Sequence, residues 1–265
     1  MTTRFIPDLT EVAGTLSGAV GGNTRLLISC EHGGNRIPAD YRPLFAGHEA
    51  ALQSHRGYDP GALALARQMA EAFEAPLFAC LTSRLLVDLN RSPGHPARFS
   101  EITRRLPKAV RDQIDSHHYL PYRQAVERPV MAALAAKNRV VHISSHSFTP
   151  VLDGQERNAD VGFLYDPACL PERAFGRDWM TALQARAPSL KLRRNYPYRG
   201  NADGLCAWLR RRYSAVGYLG IELEVNQRHV AAGGPPWRRL CAAIVAALGE
   251  ALDQSPGSME LADFP

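Results

Sequence analysis

The chain has 265 residues, of which 45% are hydrophobic and 22% are charged. These values fit one α/β domain, or at most two small ones, and argue against long disordered segments. The formal net charge is +5, but the arginines stand in short scattered groups without interleaved aromatic residues, so we expect no nucleic-acid binding.

The cysteine content and the N-terminal sequence bear on the cellular compartment. An odd number of cysteines, five, without a Cys-x-x-Cys pair argues against a disulfide framework and favours a reducing compartment. No basic start leads into an apolar run, so we expect no signal peptide. No apolar stretch approaches the roughly 20 residues that a transmembrane helix needs. These features predict a cytoplasmic protein without a membrane partner.

The apolar runs of the chain predict a series of short strands. We expect a single domain between an N-terminal arm (1–23) and a C-terminal tail (254–265). Within it, strands are predicted at residues 25–30, 76–81, 85–89, 139–145, 161–165 and 219–226.

Helical patterns lie between these strands. They are predicted from residue 59 to 73, from about 108 to 137, at 171–187 and 203–213, and in a C-terminal helix. We expect Asp59 to cap the first of these helices and Pro121 and Pro129 to interrupt the second. Strands that alternate with helices predict a mostly parallel sheet covered on both faces.

Polar residues gather where the predicted strands end, which is where ligands bind in open α/β sheets. The first cluster is the loop Glu31-His32-Gly33-Gly34-Asn35. His32 in such a loop can reach a metal, because glycine lets the backbone pass close to a site. The alternative is an ordinary polar turn.

The second cluster is formed by Arg84, Asp88, Asn90 and Arg91. The period of a strand would place the first three on one face. Charged groups among apolar residues need partners, so an Arg84–Asp88 ion pair is one interpretation. Bidentate binding of a substrate carboxylate by the two arginines is the other.

Two further strands carry the third and fourth clusters. His142, Ser144 and His146 share one face of their strand, and His146, at the end of the apolar run, is the better candidate ligand. His142 fits a hydrogen-bonded core histidine. Glu222 and Glu224 share a face of the last strand, which indicates either a solvated edge strand or a general base.

Together these clusters supply two histidines, carboxylates and paired arginines, which suit a metal hydrolase that acts on a carboxylate-bearing amide. A catalytic zinc takes three protein ligands and leaves one position open. A nearby glutamate can move the proton of the attacking water.

The motifs, in this order, resemble those of the N-formylglutamate amidohydrolase family. They are His32-Gly33-Gly34, Asp59-Pro60-Gly61-Ala62, Ser83-Arg84 with Asp88-Leu89-Asn90-Arg91, Ser145-His146-Ser147 and Glu224-Val225-Asn226-Gln227. The resemblance spans about residues 24 to 230. It implies a three-layer α/β/α fold with a central, mostly parallel mixed sheet, of the phosphorylase/hydrolase-like kind that zinc carboxypeptidases and aspartoacylases share.

The resemblance also implies a zinc site and roles for its residues. The usual His-x-x-Glu pattern of the distant relatives is absent, because Asn35 stands three residues after His32. Another carboxylate would therefore join His32 and His146. Asp59 is the expected third ligand, and Glu31 is the alternative. Fe²⁺ or Mn²⁺ could replace zinc in such a site.

The remaining roles follow from the same resemblance. Arg84, Asn90 and Arg91 are expected to bind the substrate carboxylates, and Glu224 to act as general base with Glu222 in support. The implied reaction, a step of histidine catabolism, converts N-formyl-L-glutamate to formate and L-glutamate.

Other interpretations stay open. The chain could be a hydrolase of the same fold for another N-acyl amino acid or small peptide, a non-catalytic acyl-amino-acid-binding protein, or a cysteine hydrolase acting through Cys30. The stretch 193–203 is expected to be either a loop over the site or a surface turn.

Overall fold

The computed structural model describes the backbone of residues 9–12 and all of residues 22–254. Leu9–Val12, within the predicted N-terminal arm, form an edge strand. The rest of that arm up to residue 21, and the tail beyond Gln254, lie outside the described residues.

Nine strands occur in residues 9–12 and 22–254. They are β1 (Leu9–Val12), β2 (Thr24–Cys30), β3 (Leu77–Cys80), β4 (Arg139–Phe148), β5 (Val151–Leu152), β6 (Gln155–Glu156), β7 (Val161–Leu164), β8 (Leu192–Arg194) and β9 (Tyr218–Asn226). Seven form one sheet in the order β1-β3-β2-β4-β9-β7-β8, and β5 and β6 form a small hairpin. Neighbours pair in parallel except β1 with β3 and β7 with β9. The prediction of a mostly parallel mixed sheet is confirmed.

The helices cover this sheet on both faces. They are α1 (Glu49–Gln53), α2 (Ala62–Ala72), α3 (Lys108–Ile114), α4 (Leu120–Ala135), α5 (Leu170–Arg186), α6 (Leu205–Arg210), α7 (Gln227–Ala232) and α8 (Gly234–Gln254), with a 3₁₀ helix at Ala39–Phe45 and a π-helical turn at Asp115–Tyr119. None of the helices in the described residues is both long and apolar enough to cross a membrane.

Two apolar clusters, one on each face of the sheet, hold the three layers together. In one, α2, α5 and α8 pack on the central strands through residues such as Met69, Trp179 and Ile244. In the other, α4 and α6 contribute Val126 and Leu209. The central strands β2, β4 and β9 are buried almost throughout, which explains why they read as apolar runs.

The strand predicted at residues 85–89 is wrong, because this segment forms turns and pairs with no strand of the described chain. The backbone N–H of Leu86 donates to the carbonyl of Ser83, and that of Asp88 donates to the carbonyl of Arg98. Leu85, Leu86 and Val87 are buried in the second apolar cluster. A short apolar run therefore indicates that a segment is buried, but it does not distinguish a strand from a turn.

The helical region 108–137 also differs from the prediction. It runs as α3, a π-helical turn and α4 without a break in the chain's helical path. Pro121 follows the π-helical turn and Leu120, where the regular i→i−4 bonding is already interrupted, so its missing N–H does not end the helix. Pro129 lies inside α4 and does not end it.

Candidate metal centre and active-site cleft

The candidate site lies at the carboxyl ends of the parallel strands β2, β4 and β9. Register pairs His146 of β4 with Glu224 of β9, and Ser144 with Glu222. Because paired residues of neighbouring strands point to the same face, these polar side chains form one patch. The opposite faces of both strands carry Ile143 and other residues of the first apolar cluster.

Three side chains from distant segments meet at the end of this patch. His32 follows β2, Asp59 lies in the loop before α2, and His146 lies near the end of β4. The Oδ2 atom of Asp59 lies 2.8 Å from His146 Nδ1 and 3.3 Å from His32 Nδ1. One ligand atom from each of the three residues lies within 4.8 Å of the others, and all three residues are buried. We call His32, Asp59 and His146 the metal cluster.

Asp59 does not cap α2 as predicted. The N-cap residue is Gly61, with a φ of 81° and no side-chain capping bond. The carboxylate of Asp59 turns instead toward the two histidines. Ser147 fixes this loop onto β4, because its hydroxyl donates to the carbonyl of Pro60 over 2.7 Å.

The second nitrogen of each histidine meets another carboxylate. His32 Nε2 lies 2.7 Å from Asp88 Oδ1, and His146 Nε2 lies 3.0 Å from Glu31 Oε2. Ser144 donates to the same Glu31 oxygen over 2.5 Å. Both rings therefore point Nδ1 into the metal cluster while a carboxylate orients Nε2, an arrangement that fixes the tautomer of metal-binding histidines.

The charges of this region shift several pKa values. Burial alone would lower the pKa of His146, but its hydrogen bonds to Asp59 and Glu31 raise it well above the ordinary value. Burial would raise the pKa of Asp59, and the neighbouring His32 and His146 instead lower it. The cluster thus holds Asp59 as a carboxylate under all ordinary conditions.

Glu224 stands apart from these ion pairs. Its Oε2 atom is buried and has no hydrogen-bond partner within the described chain. Burial raises the pKa of Glu224 to about 8, and the negative charges of Asp59 and Glu222 add to this effect. A buried carboxyl group beside a cleft, with an unsatisfied oxygen and a pKa near neutrality, is a candidate for proton transfer.

Arg84, Asn90 and Arg91 lie at the same cleft, as expected. Arg84 forms the predicted ion pair with Asp88, at 2.7 Å, although the two residues share a turn rather than a strand face. Arg91 Nη1 donates to the carbonyl of Asp203 over 2.8 Å. Arg91 makes no ion pair with any carboxylate of residues 9–12 and 22–254.

Asn90 sits between the metal cluster and α6. Its amide nitrogen lies 3.4 Å from His146 Nε2, and its Oδ1 accepts a 2.6 Å hydrogen bond from the backbone N–H of Leu205. Gly204 permits this approach, since a Cβ there would lie 2.7 Å from Glu222 Oε1 and 3.1 Å from Asn90 Oδ1.

The cleft in front of the metal cluster, here called the inner cleft, has a volume of about 180 Å³. Tyr198, Arg199 and Asp203 line it, so the stretch 193–203 lies at the site and is not a surface turn remote from it. His55 also lines the inner cleft. No sequence signal pointed to His55, because it lies in an irregular loop without a recognisable motif.

The comparisons with known proteins agree with this geometry. The model of the N-formylglutamate amidohydrolase family matches residues 24–231. The chain belongs to this family. The matched segment contains every residue of the metal cluster and the inner cleft. No curated protein sequence matches the chain.

Solved structures support the family assignment at the level of the fold. A gene product of Agrobacterium tumefaciens is 30% identical, with a TM-score of 0.76 over 92% of this chain and 94% of that chain. The N-formylglutamate amidohydrolase from Ralstonia eutropha JMP134 is 16% identical, with a TM-score of 0.65 over 94% of this chain and 98% of that chain. The predicted fold class and family are thereby confirmed.

Asp88 and Glu31 contribute more than the sequence reasoning assigned to them. Asp88 was expected as a partner of Arg84 alone, and Glu31 as an alternative ligand. Each carboxylate contacts the Nε2 atom of one histidine: Asp88 contacts His32, and Glu31 contacts His146. Both carboxylates stand in the motifs themselves, but their contacts with the histidine rings join segments 56 and 115 residues apart, which no local pattern shows.

Proposed function

We propose that the protein is a metal-dependent amidohydrolase that cleaves the N-acyl amide of an acidic N-acyl amino acid, with N-formyl-L-glutamate as the first candidate. One observation carries the proposal. Two histidines and an aspartate converge within 4.8 Å beside the inner cleft, to which Glu224 presents a buried carboxyl group. Family membership supports amide hydrolysis.

The residues at the site suit a divalent cation. Three carboxylates contact the two histidines, those of Glu31, Asp59 and Asp88. The carboxyl groups of Glu222 and Glu224 line the cleft beside them. Arg84 offsets only part of this negative charge. A set of two imidazoles and one carboxylate is typical of catalytic zinc, so we propose Zn²⁺ held by His32, Asp59 and His146. When bound, it would supply a Lewis acid that polarises the amide carbonyl and acidifies a nearby water.

Glu224 is the proposed general base. It would accept a proton from the attacking water and deliver it to the leaving amine nitrogen. Its raised pKa, about 8, suits both steps, because a group with a pKa near the working pH can take up and release a proton. A cation nearby would lower this pKa and favour the ionised form.

Arg91, Arg84 and Asn90 are proposed to bind and orient the substrate. Arg91 forms no ion pair with a carboxylate in the described chain. Its guanidinium group can therefore donate two hydrogen bonds to a substrate carboxylate. Arg84 already pairs with Asp88 and lies 3.4 Å from Asp59, so it would connect the substrate to the metal cluster. The products of N-formyl-L-glutamate hydrolysis would be formate and L-glutamate, as in histidine breakdown.

The cysteine mechanism has no support in the structure. Cys30 is fully buried in the first apolar cluster, and burial raises the pKa of its thiol well above the ordinary value. Such a thiol is not a ready nucleophile. All five cysteines are buried thiols, which fits the cytoplasmic location that we propose from composition.

Formate release from N-formyl-L-glutamate tests the proposal. We expect release that stops after treatment with a chelator and returns when Zn²⁺ is added back. Zinc binding without release would move the proposal to another N-acyl substrate. Release that persists in the metal-free protein would contradict the metal-dependent mechanism, and neither binding nor release would favour a non-catalytic binding protein.

A further inference from the structure

A second, larger cleft adjoins the inner cleft on the far side of Arg84 and Arg91. It has a volume of about 470 Å³, and we call it the outer cleft. Arg84 and Arg91 line both clefts, so the two clefts border each other at these side chains. Arg56 and Arg104 also line the outer cleft, and neither lines the inner cleft.

The charge of the outer cleft is positive. Four arginines face two carboxylates there, Asp88 and Glu101. Asp88 is already held by His32 and Arg84, and Glu101 pairs with Arg56. Arg91 and Arg104 form no ion pair with a carboxylate in the part of the chain that the structure describes. An anionic group in this cleft would therefore meet unneutralised guanidinium groups.

The outer cleft also has an apolar floor. Leu85 and Phe99 line it and are only 6% and 9% exposed. Pro96 and Ala97 continue the same surface. A ligand with a short aliphatic arm that ends in a carboxylate matches this combination of an apolar floor and cationic walls.

The order of the two clefts indicates how a ligand would extend. A substrate with its amide at the metal cluster would direct its amino-acid carboxylate toward Arg84 and Arg91. Both clefts are lined by these two arginines. A substrate prolonged at that carboxyl group by a peptide bond would enter the outer cleft and bring a further carboxylate toward Arg104.

We propose that the outer cleft binds the C-terminal acidic residue of an N-acyl dipeptide, so that the substrate class of this enzyme includes N-formyl acidic dipeptides. The inference rests on the proposed amidohydrolase function. The chemistry is unchanged: the formyl C–N bond breaks, the hydroxyl of water joins the formyl carbon, and the proton passes to the amine nitrogen. Formate and the free dipeptide are the products.

The experiment compares formate release from N-formyl-L-glutamate and from N-formyl-L-glutamyl-L-glutamate, with wild type, Arg104→Glu and Arg105→Glu. Arg104 and Arg105 are adjacent and exposed, but Arg105 lines neither cleft, so Arg105→Glu is a matched control for charge and folding. We expect Arg104→Glu to lower kcat/KM for the dipeptide by about five- to tenfold, through KM, because a solvated ion pair is replaced by repulsion. The value for N-formyl-L-glutamate should change by less than about twofold.

Three outcomes would overturn the inference. The wild type could hydrolyse N-formyl-L-glutamate and not the dipeptide. Arg104→Glu could affect the two substrates equally, or Arg105→Glu could match Arg104→Glu on the dipeptide.

A binding measurement separates failure of this inference from failure of the proposed function. L-glutamyl-L-glutamate and L-glutamate are titrated into the zinc-loaded proteins by calorimetry. Tighter binding of the dipeptide that Arg104→Glu weakens and Arg105→Glu does not supports the outer cleft, even if neither formyl compound is hydrolysed. Equal binding of the two ligands overturns the inference, whether or not formate is released.

Discussion

Two histidines on one face of β4 have opposite surroundings. His142 and His146 are both buried and lie four residues apart. His142 contacts hydroxyl groups, with Tyr218 Oη at 2.7 Å from Nδ1 and Ser29 Oγ at 2.8 Å from Nε2. His146 contacts the carboxylates of Asp59 and Glu31.

The difference shows in their ionisation. Burial lowers the pKa of His142 to about 4, whereas the carboxylates outweigh burial and raise that of His146. Hydroxyl partners satisfy a neutral imidazole, and carboxylate partners favour a cation, whether a proton or a metal ion. Burial and sequence position are alike, so the partners decide that one histidine is structural, as predicted, and that the other belongs to the metal cluster.

Replacing each histidine by alanine is the strongest test of this contrast. We expect His146→Ala to lose zinc binding and formate release, because one of the three proposed ligands is removed. His142→Ala should keep zinc and instead cost about 3 kcal/mol of unfolding free energy, since two buried hydroxyls lose their partner and a cavity forms. Metal analysis and urea denaturation measure the two effects, and loss of zinc from folded His142→Ala would contradict the assignment.

The two glutamates of β9 extend the comparison to proton transfer. Glu224→Gln is expected to lower kcat by about 10²–10⁴-fold with zinc still bound, because the proposed general base is lost. Glu222→Gln is the matched control on the same strand face and should have a much smaller effect on kcat. Similar losses in both variants would assign the role to the pair rather than to Glu224.

The hydrogen-bond partners of the histidine rings should also differ in their effect on zinc binding. Asp88→Asn is expected to weaken zinc binding about 10- to 100-fold, because the carboxylate that orients His32 is lost. Tyr218→Phe removes the corresponding partner of His142 and should leave zinc affinity unchanged while costing about 1 kcal/mol of stability. Zinc competition with a chromophoric chelator reports the affinities. Unchanged affinity in Asp88→Asn would show that the Asp88–His32 contact does not support a metal.

The stability of the metal-free protein should also depend on pH. Glu224 has a pKa of about 8 in the folded state and about 4.5 when unfolded, so its protonated form stabilises the fold below pH 4.5 and this contribution is lost as pH rises toward 8. Glu224→Gln should therefore gain stability over wild type as pH increases, by at most about 1.4 kcal/mol per pH unit. Urea denaturation between pH 5 and 8 checks this, and parallel stability curves would show that Glu224 is already ionised.

Most of the fold and the residues of the metal cluster were predictable from the sequence. The predicted strands that became β2, β4, β7 and β9 were apolar runs bounded by polar loops. The strand predicted at residues 85–89 was wrong because a buried turn has the same apolar character as a buried strand. The predicted interruption at Pro121 was wrong because the π-helical turn just before it accommodates the proline within a continuous helical path.

The sequence by itself determined which side chains share a face, because alternation along a strand places His142, Ser144 and His146 together. It also determined the carboxyl-terminal edge of the sheet as the place of the site. The position of His146 at the end of its apolar run already favoured it over His142, but only the tertiary structure decided which groups each ring meets, since Asp59 lies 87 residues from His146 and Ser29 lies 113 residues from His142. Contacts across such separations depend on how the strands order in the sheet and how the loops cross its edge, and no local pattern records them.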